Sequence, residues 1–190
     1  MLSGRFQDPA MKPANRSHLL FWAASVLCSA QSITVHVYDY AGIPADQWQK
    51  TAEDAGKVLA KAGYTVKWVE CRGAGAAPDS AAICDRELGD TDYVLRLAAG
   101  EGNRKPGVKR ALAHSVVQQN GGRYATLFVD AVQEHAQYLG VSQRLILAYA
   151  TAHELLHLQR GPAHSKSGVM KEYWTRGDAP AIAQLNLPVR

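Results

Sequence analysis

Two histidines four residues apart, with a glutamate directly after the first, stand out in this 190-residue chain: His153-Glu154-Leu155-Leu156-His157. On a helix, positions i and i+4 share a face, so both imidazoles can reach one metal ion. Neutral imidazole is a good zinc ligand, and Glu154 sits beside the pair without needing to ligate. It can take a proton from zinc-bound water and pass it to a leaving amine. That chemistry is hydrolysis with one catalytic Zn2+, His153 and His157 as ligands and Glu154 as base.

A catalytic zinc usually has three protein ligands plus water. Downstream of His157 come Gly161 and Pro162, which end a helix, and then His164. Gly161 can take a left-handed conformation and Pro162 forbids continuation, so the chain turns back and brings His164 to the metal as third ligand. Glu172 and Asp178 are the alternatives and would make a His/His/carboxylate site.

With these residues the stretch resembles the metzincin group of zinc peptidases. Their long motif places a glycine three residues, and a histidine six residues, after the second histidine, with a methionine-bearing turn beyond. Here Gly161 and His164 each fall one residue later, and Met170 follows in Ser-Gly-Val-Met. The resemblance covers residues 143–174 and is to a divergent, small exported bacterial type. It implies an α+β, zincin-like fold with a mixed twisted sheet and an active-site helix carrying the histidines. It implies that Met170 sits in the turn beneath the metal, and it makes Tyr173 a candidate to stabilise the oxyanion or to form the cleft wall. It implies a metalloendopeptidase. A secreted zinc-binding module without turnover, and a zinc amide or ester hydrolase acting on non-protein substrates, are alternative uses of the same site.

The helix that carries the histidines is expected from about Gln143 to Arg160, after Ser142 as N-cap. Leu145, Ile146, Leu147, Tyr149, Leu155 and Leu156 make it strongly apolar, as suits a buried helix. Upstream, Ile33, Val35 and Val37 alternate with polar residues as a half-buried strand. Trp48, Ala52, Ala55, Leu59 and Ala62 recur at helical spacing, and Tyr64, Val66 and Trp68 alternate again. Strand–helix–strand order predicts a parallel pair with a right-handed crossover. Tyr93, Leu95 and Leu97 mark a third strand. Residues 111–117 read as a short edge strand, able to pair with an extended substrate. After the turn signal at Asn120-Gly-Gly, residues 124–129 are apolar on both faces and read as a buried strand; a short helix over residues 132–139 ends at Gly140. His114 and His135 are candidates to line the cleft, although isolated histidines, His36 included, ordinarily serve as solvated or structural groups.

The hydrophobic fraction of 47% is enough for a packed core and excludes a wholly disordered chain. The net charge of +4 owes half its excess to the first thirty residues, where Arg5, Lys12 and Arg16 outweigh Asp8. The basic cluster Arg104, Lys105, Lys109 and Arg110 lacks aromatics and breadth, so it reads as a solvated loop rather than a nucleic-acid surface. Lys12 and Arg16 precede the apolar run 19–27 and the small residues Ser29-Ala30, the order of a signal peptide. Residues 1–30 are the expected leader, with Met11 an alternative start and Cys28 a less favoured lipid anchor. Residues 31–190 are then a single catalytic domain, secreted or periplasmic. It acts on a peptide or protein as a monomer, without nucleic acid or membrane. In an oxidising compartment the remaining Cys71 and Cys84 are expected to form a disulfide.

Overall fold

The computed structural model describes residues 30–100, 111–118 and 121–189. The expected leader before residue 30, the basic cluster and Asn120 lie outside the described residues.

Strand β1 (Gln31–Asp39), helix α1 (Ala45–Lys61) and strand β2 (Tyr64–Arg72) form the opening unit. The two strands pair in parallel, with Ile33 opposite Val66 and Val35 opposite Trp68. A short 3-10 turn (Pro78–Ser80) and helix α2 (Ala81–Cys84) follow, between β2 and the next strand. Strand β3 (Asp92–Ala98) then pairs in parallel with the other side of β1. Strand β4 (Ala113–Gln118) runs antiparallel to β5 (Gly121–Phe128), and β5 is parallel to β3. The sheet order is β2-β1-β3-β5-β4, so β4 forms one edge. Helices α3 (Val129–Leu139), α4 (Gln143–Arg160) and α5 (Ala179–Ala183) complete an α+β fold with a mixed sheet.

The core lies between one sheet face and the helices. Ile33, Val35, Val37, Leu95, Leu97, Ala125 and Leu127 are all buried, as alternate residues on one side of their strands must be. They meet Trp48, Val58 and Leu59 of α1 and the apolar residues of α4. Every residue of α4 from Leu145 to Leu158 is buried, because α1, α3, β4 and β5 surround it. Asp54, buried on α1, pairs with Arg144 of α4 and with Lys57 and joins the two helices electrostatically.

Strand β5 departs from the sequence expectation. Ala125 and Leu127 are buried, but Tyr124 is 53% exposed. The helices cover only one face of the sheet here, so residues that look apolar on both sides are buried on one. Val129, assigned to the strand by its side chain, opens α3.

The segment between β2 and β3 is tied down twice. Cys71 and Cys84 form the expected disulfide. Arg86 and the Gly89 N–H both bind the carboxylate of Asp92, at 2.7 and 2.8 Å. Burial opposes the charge on Asp92, but the Gly89 bond and Arg86 outweigh it and hold the carboxyl below the usual aspartate range. Because the folded pKa is depressed, this contribution is present above pH 3.8 and is lost as pH falls below it. Asp92→Asn is expected to cost about 1–3 kcal/mol at pH 7. The difference from the parent should shrink below about pH 4 in thermal melts; an unchanged gap there would refute the assignment. Among the described residues, no helix is long and apolar enough to cross a membrane.

Candidate metal centre and cleft

Helix α4 starts as its sequence predicts, but Ser142 caps it through the backbone alone. Its φ and ψ are extended, its side chain makes no capping bond, and its carbonyl accepts from Leu145 and Ile146. At the other end Gly161 has φ 92° and ψ −177°. That is not the left-handed helical conformation expected from the sequence. It is a more extended one, open essentially to glycine alone. The difference matters, because it turns the Gly161 carbonyl back toward the helix. His157 Nδ1 donates to that carbonyl at 2.9 Å.

His153 Nδ1 donates to the carbonyl of Val169 at 2.8 Å. A carbonyl oxygen can only accept. The proton of each neutral ring is therefore on Nδ1, and each Nε2 carries a bare lone pair. Yet the Nε2 atoms of His153 and His157 lie 2.9 Å apart, and that of His164 is 3.1 Å from that of His157. Lone pairs held this close repel one another unless a cation lies between them. With bonds of about 2.0–2.1 Å, a tetrahedral zinc separates its nitrogens by about 3.3 Å. The observed spacings fit a metal after a shift of a few tenths of an ångström.

Protonation does not resolve the crowding near neutral pH. Burial lowers the His153 pKa to about 4; the Val169 bond opposes this, while His157 and His164 add to it. His164, at the exposed rim, is lowered by partial burial and by His157, against a smaller pull from Glu172. His153 and His164 are thus held neutral, the form that ligates.

Glu154 is buried beside them. Burial raises its pKa above the ordinary glutamate value, while a hydrogen bond from Ser115 and the nearby His157 and His114 rings act to lower it. A carboxylate so placed can both accept and return a proton. Ser115 belongs to the edge strand β4, so the Glu154 carboxylate is held from across the cleft.

The cleft has a volume of about 590 Å³. Residues of α4, of β4 and of the segment after α4 line it, among them His114, Ser115, Glu154, the three histidines, Glu172, Tyr173 and Trp174. His135 does not line it. It is buried on α3, with its ring against Tyr173 at 4.8 Å and Tyr138 at 5.8 Å. The two carboxylate alternatives stand apart from the histidines. Asp178 accepts from Lys171, the Thr175 amide and the Thr175 hydroxyl, at 2.6, 2.7 and 2.9 Å. Glu172 reaches the cleft wall but is not in the His153–His157–His164 cluster, whose ligating atoms lie within 4.8 Å of one another.

Met170 does sit in a tight turn. Lys171 N donates to Gly168 O at 3.3 Å, which makes Val169 and Met170 the central pair. Met170 is buried in the core. The bond that ties this turn to the histidines comes from its neighbour, through the carbonyl of Val169. Trp174 braces the same turn: its indole N–H donates to Gly168 O at 3.2 Å, and its ring meets His153 edge-on at 6.0 Å. Sequence reasoning misses Val169, Trp174 and Ser115. Gly168, one residue before Val169, is the only signal that the backbone there is constrained.

No protein-family model matches the chain, and no curated protein does. Among solved structures it is similar to archaemetzincin from Methanopyrus kandleri. The two are 18% identical over 80% of this chain and 86% of that one, with a TM-score of 0.42.

A Cβ on Gly168 would lie 2.1 Å from the Pro188 carbonyl, at a φ of +81°. Gly168→Ala is therefore expected to displace the turn and the Val169 carbonyl with it. Stability should fall by about 1–3 kcal/mol, and zinc affinity by about 10–100-fold, as when a group that orients a ligand is lost. Thermal melts with and without zinc, together with chelator competition, measure both.

Proposed function

We propose that this chain is a zinc-dependent hydrolase of the metzincin-like kind, and that it cleaves peptide bonds. The observation that carries the reading is the convergence of three imidazole Nε2 atoms, two of them with lone pairs aimed by Nδ1–carbonyl bonds, beside a buried glutamate. His153, His157 and His164 would hold the ion. Zinc bound there supplies Lewis acidity, polarising a carbonyl and lowering the pKa of water to about 7.

The chain's own groups do the rest. Glu154 takes the proton of the attacking water on its carboxylate and delivers it to the leaving nitrogen. Its raised pKa suits it to hold that proton between the two transfers. Ser115 keeps the carboxylate facing the cleft. Tyr173 lines the same cleft, and burial raises its pKa, so its hydroxyl stays protonated and able to donate to a developing oxyanion. An extended peptide pairs with β4, whose outer side is the edge of the sheet. Residues 1–30 act as an export signal, and the disulfide suits an oxidising compartment.

Glu154→Gln is expected to keep zinc but lower kcat on a cleavable peptide by about 10²–10⁴-fold. Tyr173→Phe should lower kcat by up to about 10² with little change in KM. Chelation should abolish cleavage and added zinc restore it. A zinc-loaded parent that leaves a broad peptide library uncut would remove the peptidase reading and leave the metal site standing. His164→Ala should weaken zinc retention in dialysis, whereas Asp178→Ala should not.

A further inference from the structure

The second face of the sheet carries a different cluster. His36 lies on β1 between Val35 and Val37 and so points away from the helices. It is 1% exposed. Its Nδ1 is 3.7 Å from Cys71 Sγ, and its Nε2 is 3.7 Å from a carboxylate oxygen of Asp92. Both contacts are long, so they hold the ring only weakly. A disulfide sulfur carries no proton and is a weak acceptor, and Nε2 has no hydrogen-bond partner among the described residues. A buried imidazole left in this state is costly.

The geometry of a metal site accounts for it. Zinc bonds of about 2.3 Å to sulfur and 2.0–2.1 Å to nitrogen put tetrahedral S···N neighbours about 3.6 Å apart. His36 Nδ1 and Cys71 Sγ are already at that separation. The ligating atoms of His36, Cys71 and Cys84 all lie within 4.8 Å of one another. Only the two sulfurs, bonded to each other, are too close to share an ion. Asp92 stands behind the ring where a carboxylate that orients a ligating histidine stands: Nε2–H toward the carboxylate, Nδ1 toward the metal. Both cysteines are half-buried, which leaves room for water as a fourth ligand.

We propose that reduction of the Cys71–Cys84 disulfide creates a second zinc site on His36, Cys71 and Cys84. A dithiol reductant supplies the two electrons: its own sulfurs join, the Cys71–Cys84 bond breaks, and two thiols form. The thiols release two protons to solvent as they bind Zn2+, giving a neutral Zn(Cys)2 unit with His36. A disulfide oxidant reverses this, taking two electrons, reforming the bond and freeing the ion. The connection between β2 and β3 is thus clamped by a covalent bond or by a cation, according to the thiol balance around it.

Cobalt(II) is a direct probe, because a thiolate-to-cobalt charge-transfer band requires sulfur ligands and the His153 cluster has none. The full chain carrying Cys28→Ser, with Cys71 and Cys84 its only thiols, is reduced with a phosphine and titrated with cobalt. The band should grow and saturate at one ion beyond that bound by the oxidised chain, and zinc should bleach it. The oxidised chain should show no band. Cys84→Ser, which leaves the core untouched, should abolish it. Asp92→Asn should weaken zinc at this site by about 10–100-fold, and His36→Gln by at least as much. A reduced chain without the band under excess cobalt, or a band that survives Cys84→Ser, overturns the proposal. Unchanged zinc affinity in a folded His36→Gln chain overturns the three-ligand site.

Discussion

Two buried hydrogen bonds organise the cleft: His153 Nδ1 to Val169 O, and His157 Nδ1 to Gly161 O. Each fixes a tautomer as well as a ring orientation. Together they turn two lone pairs toward one point, and His164 brings a third Nε2 beside them. The carbonyls come from opposite directions, one from the residue that ends α4 and one from a turn further along. The helix and the segment after it are thereby locked to each other through the two histidines. Backbone conformations that only glycine adopts easily, at Gly161 and Gly168, are what aim those carbonyls.

Such a site needs a rigid and largely dry support. Helix α4 provides it by being buried along most of its length, although it carries Thr151, His153, Glu154 and His157, the last three on the wall of the cleft. Burying these groups opposes folding unless each finds a partner. The histidines find carbonyls and Glu154 finds Ser115, while the Thr151 hydroxyl has no partner among the described residues. The same burial holds His153 neutral and raises the glutamate pKa, so the environment that makes the groups expensive also sets their protonation. The edge strand closes the arrangement: β4 delivers Ser115 to Glu154 while its outer side remains open.

The sheet separates two kinds of construction. Its helical face is a conventional apolar core. Its other face is sparsely covered, and the β2–β3 connection is fastened there by the disulfide, by Arg86 on Asp92, and by Tyr38 donating to the Cys84 carbonyl. His36 belongs to this second layer, which is why a histidine in an alternating strand is nevertheless fully buried.

The local features were legible in the amino-acid pattern. Alternation marked β1 and β2, helical spacing marked α1, and Ser142 and Gly161 bracketed α4 at its observed ends. The i, i+4 histidines with Glu154 between them specified one helical face, and the even cysteine pair anticipated the disulfide. These were legible because each depends on the chain's own period or on conformations within a few residues. What lay beyond it were partners set by packing. Val169 offers a carbonyl, which every residue has, so no residue type announced it. Ser115 looked like any polar residue of an edge strand until the sheet order brought it to Glu154. Asp178 was an open ligand candidate until Lys171 and Thr175 engaged it, and Tyr124 looked buried until the helices left its face uncovered. Only the tertiary structure decided these, because they depend on which distant backbone and side-chain groups meet, and periodicity along the chain carries no record of that.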